Sequence, residues 1–259
     1  MIKNLLKNTE LNGYTILDIF PKKFISQLEK KVLKKINLKL KKLNLPITEI
    51  KSLSRFHKLK ISSDQKSKIF DPKDRFIPLE RIILKEIKKN KFINKVLFDQ
   101  WGHNKYSIKW VASLKKKQIK SNVCGFRICE PKKKAVGAHI DLHVGGKILK
   151  DRNSLISIWL PIVGFSKKYT LKFSPKSHLF DHPTDQFAMN NNTISNVFNQ
   201  KYVNKFAFTR LNLKKGQGIM FNCNLLHGNS INDGKLSRVS LEIRLYNSKN
   251  YIKWKPKIN

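Results

Sequence analysis

His139 and Asp141 stand one residue apart in the run AHIDLHVGG (138–146), inside a chain otherwise crowded with lysine. Alternate side chains of an extended strand share a face. An imidazole and a carboxylate are therefore aimed at one point, with His143 two positions further on. Such a pair suits a divalent transition metal. Imidazole is a metal donor that is largely neutral near pH 7, and the carboxylate offsets part of the ion's charge. A further ligand has to come from a distant part of the chain. Among the seven histidines, His227 stands out: it follows GQGIMFNCNLL, a turn and a buried strand, and precedes a loop that leads into SRVSLEIRL.

Two histidines and one carboxylate occupy one face of an octahedral ion and leave other positions open, the signature of non-haem Fe(II) oxygenases. The open positions accept dioxygen and a bidentate 2-oxoacid. When that acid is 2-oxoglutarate, its distal carboxylate needs a buried cation. Arg238 follows His227 by eleven residues, and Ser240 lies on the same strand face. The planar guanidinium fork makes two parallel charge-assisted bonds, and the hydroxyl can donate one more. His143 as a fourth ligand would close the position that dioxygen needs. Arg127, in GFRICE, is a second candidate for an anionic cosubstrate, or else pairs with Glu130 or another acid. Arg244 falls on the same face as Arg238 and reads as a buried ion pair or a second anion contact.

Helices and strands must bring these residues together. Residues 14–20, YTILDIF, read as a short strand. After Pro21, Phe24, Ile25, Leu28, Val32, Ile36, Leu40 and Leu43 recur at helical spacing with lysines between. Residues 44–76 read as polar and irregular. Leu79, Ile82, Ile83, Ile87, Ile93, Val96 and Leu97 predict a second helical region that ends before Gly102. From residue 105 short β-rich runs take over: NVCGFRICE, LISIWLPIV, YTLKFS, KFAFTRLNL, GQGIMFN and SRVSLEIRLYN. Successive short strands without intervening helices predict a sandwich or barrel. The expected organisation is one domain: an N-terminal helical layer (1–104), a β core (105–247) and a C-terminal tail (248–259). The basic run LHVGGKILKDRN after the triad reads as a lid with Gly145 and Gly146 as hinges.

HID (139–141), HGN (227–229) and RVS (238–240) resemble the phytanoyl-CoA dioxygenase group of Fe(II)/2-oxoglutarate oxygenases, whose motif is H-x-D, a distant H, then R about eleven residues later. SIWLPI (157–162) and SPKSH (174–178) are similar to that group's central strand and the loop after it, and GYTILDIF (13–20) to its N-terminal strand. The resemblance covers residues 105–247. It implies a mostly β fold with α, a double-stranded β-helix (jelly-roll, cupin-like) core. It also implies Fe(II) on His139, Asp141 and His227, 2-oxoglutarate on Arg238 and Ser240, and dioxygen as oxidant. The longer pattern through Asn232, Glu242 and Arg244 resembles members from carbohydrate and secondary-metabolite clusters. That resemblance implies a small-molecule substrate such as a sugar-linked intermediate. His178, Lys176 and Trp159 are the candidate substrate contacts, with a packed core position as the alternative for Trp159. Lys176 departs from the glycine usual in the family loop. A carboxylate at Asp141 favours hydroxylation over halogenation and leaves desaturation and epimerisation open.

The formal charge of +37 invites a competing reading as a nucleic-acid-binding protein or a nucleic-acid-directed oxygenase. The cations are 46 lysines and only 8 arginines, spread along the whole chain. Contacts selected for nucleic acid favour arginine, so A/T-rich coding accounts better for most of the charge. Three cysteines without a CxxC pair argue against a disulfide framework or a structural zinc site and for a reducing compartment. No apolar stretch approaches the ~18 residues of a membrane span, and the first residues lack a signal-peptide pattern. The expected location is cytoplasmic. The sequence does not encode an oligomeric state in any visible form.

Overall fold

In the 3.6-residue register after Pro21, Ile25, Leu28, Val32, Ile36 and Leu40 form one buried stripe, and helix α2 (Lys22–Lys42) turns its lysines outward. The structure, a computed structural model, describes residues 2–45, 49–69, 77–102, 104–108, 110–114, 117–121, 124–133, 136–141, 143–144, 147–148, 155–183, 186–190, 193–228 and 230–247. Helix α1 (Ile2–Asn12) precedes α2 and was not expected from the sequence. The span read as irregular holds a 3-10 turn at Leu53–Lys58 and α3 (Ser63–Ile69). The second helical region is two helices, α4 (Ile77–Lys89) and α5 (Lys91–Trp101). Asn90 separates them. Its Oδ1 accepts from Phe92 and Ile93 N–H, capping α5, while its Nδ2 donates to the carbonyls of Asp18 and Ile19. Gly102 closes α5 in the left-handed region, at φ 66°.

The strands in chain order are β1 (Tyr14–Asp18), β2 (Tyr106–Ile108), β3 (Trp110–Leu114), β4 (Lys117–Ser121), β5 (Cys124–Cys129), β6 (His143–Val144), β7 (Lys147–Ile148), β8 (Leu155–Val163), β9 (Lys172–Phe173), β10 (Phe187–Asn190), β11 (Thr193–Phe198), β12 (Thr209–Arg210), β13 (Gln217–Asn222) and β14 (Arg238–Asn247). The major sheet is antiparallel, in the order β1-β13-β8-β14. On the far side of β14, β5 pairs with Arg238–Ile243 and β2 with Leu245–Asn247. One face of this sheet is aliphatic: Val239, Leu241, Ile243 and Leu245 from β14, and Ile156, Ile158, Leu160 and Ile162 from β8. These pack against the α2 stripe and against Ile83, Ile87, Ile93 and Leu97 of α4 and α5. Burying each such side chain stabilises the fold by about 1.5–3 kcal/mol relative to exposure.

The opposite face meets a row of short segments. β12 pairs with β9, Phe173 of β9 bridges to His227, and His227 bridges to His139. Phe198 N–H of β11 donates to Ala138 O at 2.8 Å, and β11 pairs with β10. Between the two layers lie Trp159, Ile219 and Phe221 from the major sheet, against Phe173, Leu171 and Leu225 from the short segments. Two antiparallel sheets face to face make the jelly-roll that the motifs imply. Most of the expected lid, including Leu142, Gly145 and Gly146, lies outside the described residues, as does the tail from residue 248. Among the described residues no helix is long and apolar enough to cross a membrane.

Candidate metal centre

His139 and His227 occupy adjacent short segments and exchange both backbone bonds, His139 N–H to His227 O at 2.9 Å and His227 N–H to His139 O at 3.0 Å. A mutually bonded antiparallel pair presents its side chains on one face, and the two rings lie 4.2 Å apart between centroids. Each ring is oriented in the same way. Nδ1 of His139 meets Gly137 O at 2.8 Å, and Nδ1 of His227 meets Leu225 O at 2.9 Å. A carbonyl only accepts, so each Nδ1 carries the proton and each Nε2 keeps its lone pair. Gly228 makes the approach possible. At φ 103°, a Cβ there would sit 2.5 Å from Gly137 O and 3.1 Å from His139 Nδ1.

Asp141 is buried beside the pair, with Oδ1 4.0 Å from His227 Nε2. One ligand atom from each of His139, Asp141 and His227 falls within 4.8 Å of the others. The carboxylate is held from the major sheet: Ser157 Oγ donates to Oδ2, and Arg244 Nη2 donates to Oδ1. Burial alone would raise the Asp141 pKa. The Arg244 guanidinium, then the two imidazoles and the Ser157 hydroxyl, outweigh burial and hold it below the usual carboxylate range. Burial, and then His227, push the His139 pKa down to about 4. The centre thus offers an anionic Asp141 carboxylate and a neutral His139 imidazole, the ionisation states in which these groups bind a divalent metal. A narrow cavity opens on it, lined by Ser157, Trp159, Phe221, Glu242 and Arg244 together with Asp141 and His227.

At the start of β14, Arg238 is buried beside Trp159, which lines the cavity. Its Nη1 donates to Tyr169 O at 3.1 Å and to Ser230 Oγ at 3.3 Å, and its Cζ lies 5.8 Å from the Trp159 ring centroid. Its Nε has no partner among the described residues, nor has the Oγ of Ser240, whose residue is fully buried. Two orphaned donors on one strand face, one of them cationic, call for an anionic acceptor. A carboxylate of 2-oxoglutarate is such an acceptor, and the trio is a donor set for iron, so the chemistry of the residues present fits both. The loop between His227 and Arg238 is held by Asn232, whose Nδ2 donates to Cys129 O at 2.7 Å and Leu236 O at 2.8 Å while its Oδ1 accepts from Gly234 N–H at 3.1 Å.

The remaining candidates separate. Trp159 is buried and forms the wall beside Arg238. Arg127 Nε pairs with Glu242 Oε2 at 3.1 Å, not with Glu130, which binds Lys66 at 2.6 Å. Burial would raise the Glu242 pKa, but Arg127 and Arg244 lower it below the usual value. Lys176 and His178 are not brought to the cavity. Lys176 is exposed, and its N–H donates to Asn12 O at 3.0 Å. His178 is buried against Gly13, with Nε2 2.8 Å from Glu10 O. Their loop instead braces the approach to His227: Ser177 Oγ accepts from Leu226 N–H at 2.8 Å, and Asn224 Nδ2 donates to the carbonyls of His178 and Phe180. The side chain of His143 lies outside the described residues. Sequence reasoning missed Ser157. Its signal was a lone hydroxyl inside the apolar run LISIWLPIV, where a buried polar group needs a partner.

Solved structures of the same fold include AviO1 from Streptomyces viridochromogenes Tue57, at TM-score 0.57 and 11% identity over 96% of each chain. The epimerase SnoN from nogalamycin biosynthesis, solved with Fe3+, alpha ketoglutarate and nogalamycin RO, aligns at TM-score 0.55 and 11% identity over 100% of this chain and 91% of that one. EctD from S. alaskensis, with 2-oxoglutarate and 5-hydroxyectoine, aligns at TM-score 0.54 and 14% identity over 95% and 76%. No curated protein matches the chain in sequence. The sequence profile named phytanoyl-CoA dioxygenase (PhyH) matches residues 27–240, which contain the trio, Arg238 and Ser240. The chain therefore belongs to the phytanoyl-CoA dioxygenase family of non-haem iron- and 2-oxoglutarate-dependent oxygenases.

Proposed function

We propose that this oxygenase hydroxylates a small molecule, such as a sugar-linked biosynthetic intermediate, in the cytoplasm. His139, Asp141 and His227 would hold the ferrous ion, and Arg238 with Ser240 would take the distal carboxylate of 2-oxoglutarate. The observation that carries this reading is the orphaned pair, Arg238 Nε and Ser240 Oγ, buried on the strand that also supplies Arg244 to Asp141. When bound, the iron and 2-oxoglutarate supply the oxidising power: dioxygen is consumed, 2-oxoglutarate becomes succinate and CO2, and one oxygen atom enters a C–H bond of the substrate. The protein's own part is orientation. The Nδ1 bonds of both imidazoles fix the donor nitrogens, and the buried guanidinium would hold the cosubstrate by a charge-assisted bond. The apolar walls from Trp159 and Phe221 exclude water.

The small-molecule substrate is supported by the neighbouring structures, one of them captured with nogalamycin RO and another with 5-hydroxyectoine. The same set contains an epimerase, so the product must be weighed as well as detected. The test is succinate release from 2-oxoglutarate after anaerobic addition of Fe(II), with wild type set against His139→Ala. Wild type is expected to release succinate in an iron-dependent manner and the variant none. A wild type that releases none overturns the reading. A product that gains one oxygen atom supports hydroxylation, and a product of unchanged mass replaces it with epimerisation.

A further inference from the structure

Ser157 and Arg244 are direct register partners on β8 and β14. Their side chains reach across from the major sheet and take one oxygen each of Asp141, Oδ2 by the hydroxyl and Oδ1 by the guanidinium. We infer that this cross-strand pair restricts Asp141 to giving a metal ion one oxygen, and so keeps a third position open on it. The inference rests on the metal-centre reading above. A carboxylate is able to bind an ion through one oxygen or both. With two imidazoles and one carboxylate oxygen, an octahedral ion keeps three open positions. With both carboxylate oxygens it keeps two, and a bidentate 2-oxoacid fills them, leaving none for dioxygen.

The clamp opposes the second mode by geometry and by cost. Ser157 and Asp141 are buried, and the Arg244 side chain is nearly so. Turning both oxygens toward the ion would strip a hydroxyl or a guanidinium of its acceptor in a buried place, the most costly way to lose a hydrogen bond. Arg244 and Ser157 therefore act through Asp141 as positioning residues.

The experiment uses the full chain loaded with Mn(II), whose EPR line broadens in 17O-enriched water according to the number of water molecules on the ion. The parent protein is expected to show three waters without 2-oxoglutarate and one with it. Arg244→Met and Ser157→Ala are each expected to show two and none, with Mn(II) affinity equal or several-fold tighter. Arg244→Lys, which keeps a cationic donor, is expected to return the count toward three. Ser157→Ala removes only a hydroxyl and so carries the test should Arg244→Met fail to fold. Three waters on the ion in every folded variant, or loss of Mn(II) from Ser157→Ala, overturns the inference. A parent protein that binds no Mn(II) overturns the metal-centre reading beneath it, an outcome distinct from the other two.

Discussion

The two faces of β14 do opposite work. Val239, Leu241, Ile243 and Leu245 join the aliphatic layer under the helices, while Arg238, Ser240, Glu242 and Arg244 alternate with them on the polar side, where Glu242 and Arg244 line the cavity. The first face is held by area, and any one side chain contributes as its neighbours do. The second is held by particular partners, and two of its polar atoms, Arg238 Nε and Ser240 Oγ, have none among the described residues. One strand with a period of two thus carries fold and function on separate sides, so each should be breakable alone. Leu241→Ala is expected to cost about 2–5 kcal/mol of stability, read by denaturant unfolding, with 2-oxoglutarate affinity of the folded Mn(II) protein unchanged. Arg238→Met is expected to do the reverse. It removes a buried cation with an unsatisfied N–H but also two hydrogen bonds, to Tyr169 O and Ser230 Oγ, so the two effects offset and metal-free stability changes little. Binding of 2-oxoglutarate should weaken by about 2–5 kcal/mol, the range for removing one partner of a buried charge pair. Equal unfolding of both variants would show that the faces are not separable.

The comparison also explains what was legible. The helical stripe of α2 and the strands β8, β13 and β14 were readable because each repeats a period in apolar residues. The break at Asn90 was not, because its cause is a cap tied to Asp18 and Ile19, more than seventy residues away in the chain. On the site side, His139 and Asp141 were legible as an alternating pair, and His227 and Arg238 by their mutual spacing. The Ser157–Asp141–Arg244 clamp joins three segments whose spacing carries no local signal. Only the fold puts them in contact. Lys176 and His178 read as substrate residues because their loop follows the central strand, whereas that loop packs on α1 and supports the segment before His227.

The site face also responds to pH in a direction that the aliphatic face cannot. In metal-free protein the His139 pKa lies at about 4, below its ordinary 6.5. Between these values the unfolded chain binds more protons than the folded one, so stability should rise with pH from about 4 to 6.5 and be full above that. Thermal unfolding of the metal-free protein across this window checks the slope, and His139→Ala should flatten it. Mn(II) binding should steepen it, since the ion selects the deprotonated ring. A stability that falls over the same window would mean that His139 is not buried as a neutral ring. Asn232→Ala probes the loop that joins the two ends of the site. It removes three hydrogen bonds at a fully buried position and is expected to cost about 1–3 kcal/mol. 2-Oxoglutarate affinity should fall with it, because Ser230 and Arg238 lie on that loop and the strand it feeds.

The smallest expected effect decides between two readings of one residue. Lys176 has φ 65°, in the left-handed region that a Cβ disfavours, and it caps the 3-10 turn at Ser177–Leu179. If its lysine is retained for a substrate, Lys176→Gly should lower turnover. The structure places that side chain in solvent beside Asn12, away from the cavity. Glycine relieves a left-handed penalty of roughly 1–2 kcal/mol and gives back roughly 0.5–1 kcal/mol through the greater freedom of the unfolded chain. The difference predicts stabilisation of about 0.5–1 kcal/mol by denaturant unfolding, with succinate release unchanged. Lower turnover without a change in stability would return Lys176 to the substrate and show that its loop reaches the cavity during the reaction. Greater stability at unchanged turnover would leave the loop as a brace for His227, on the structural side of the same division that runs through β14.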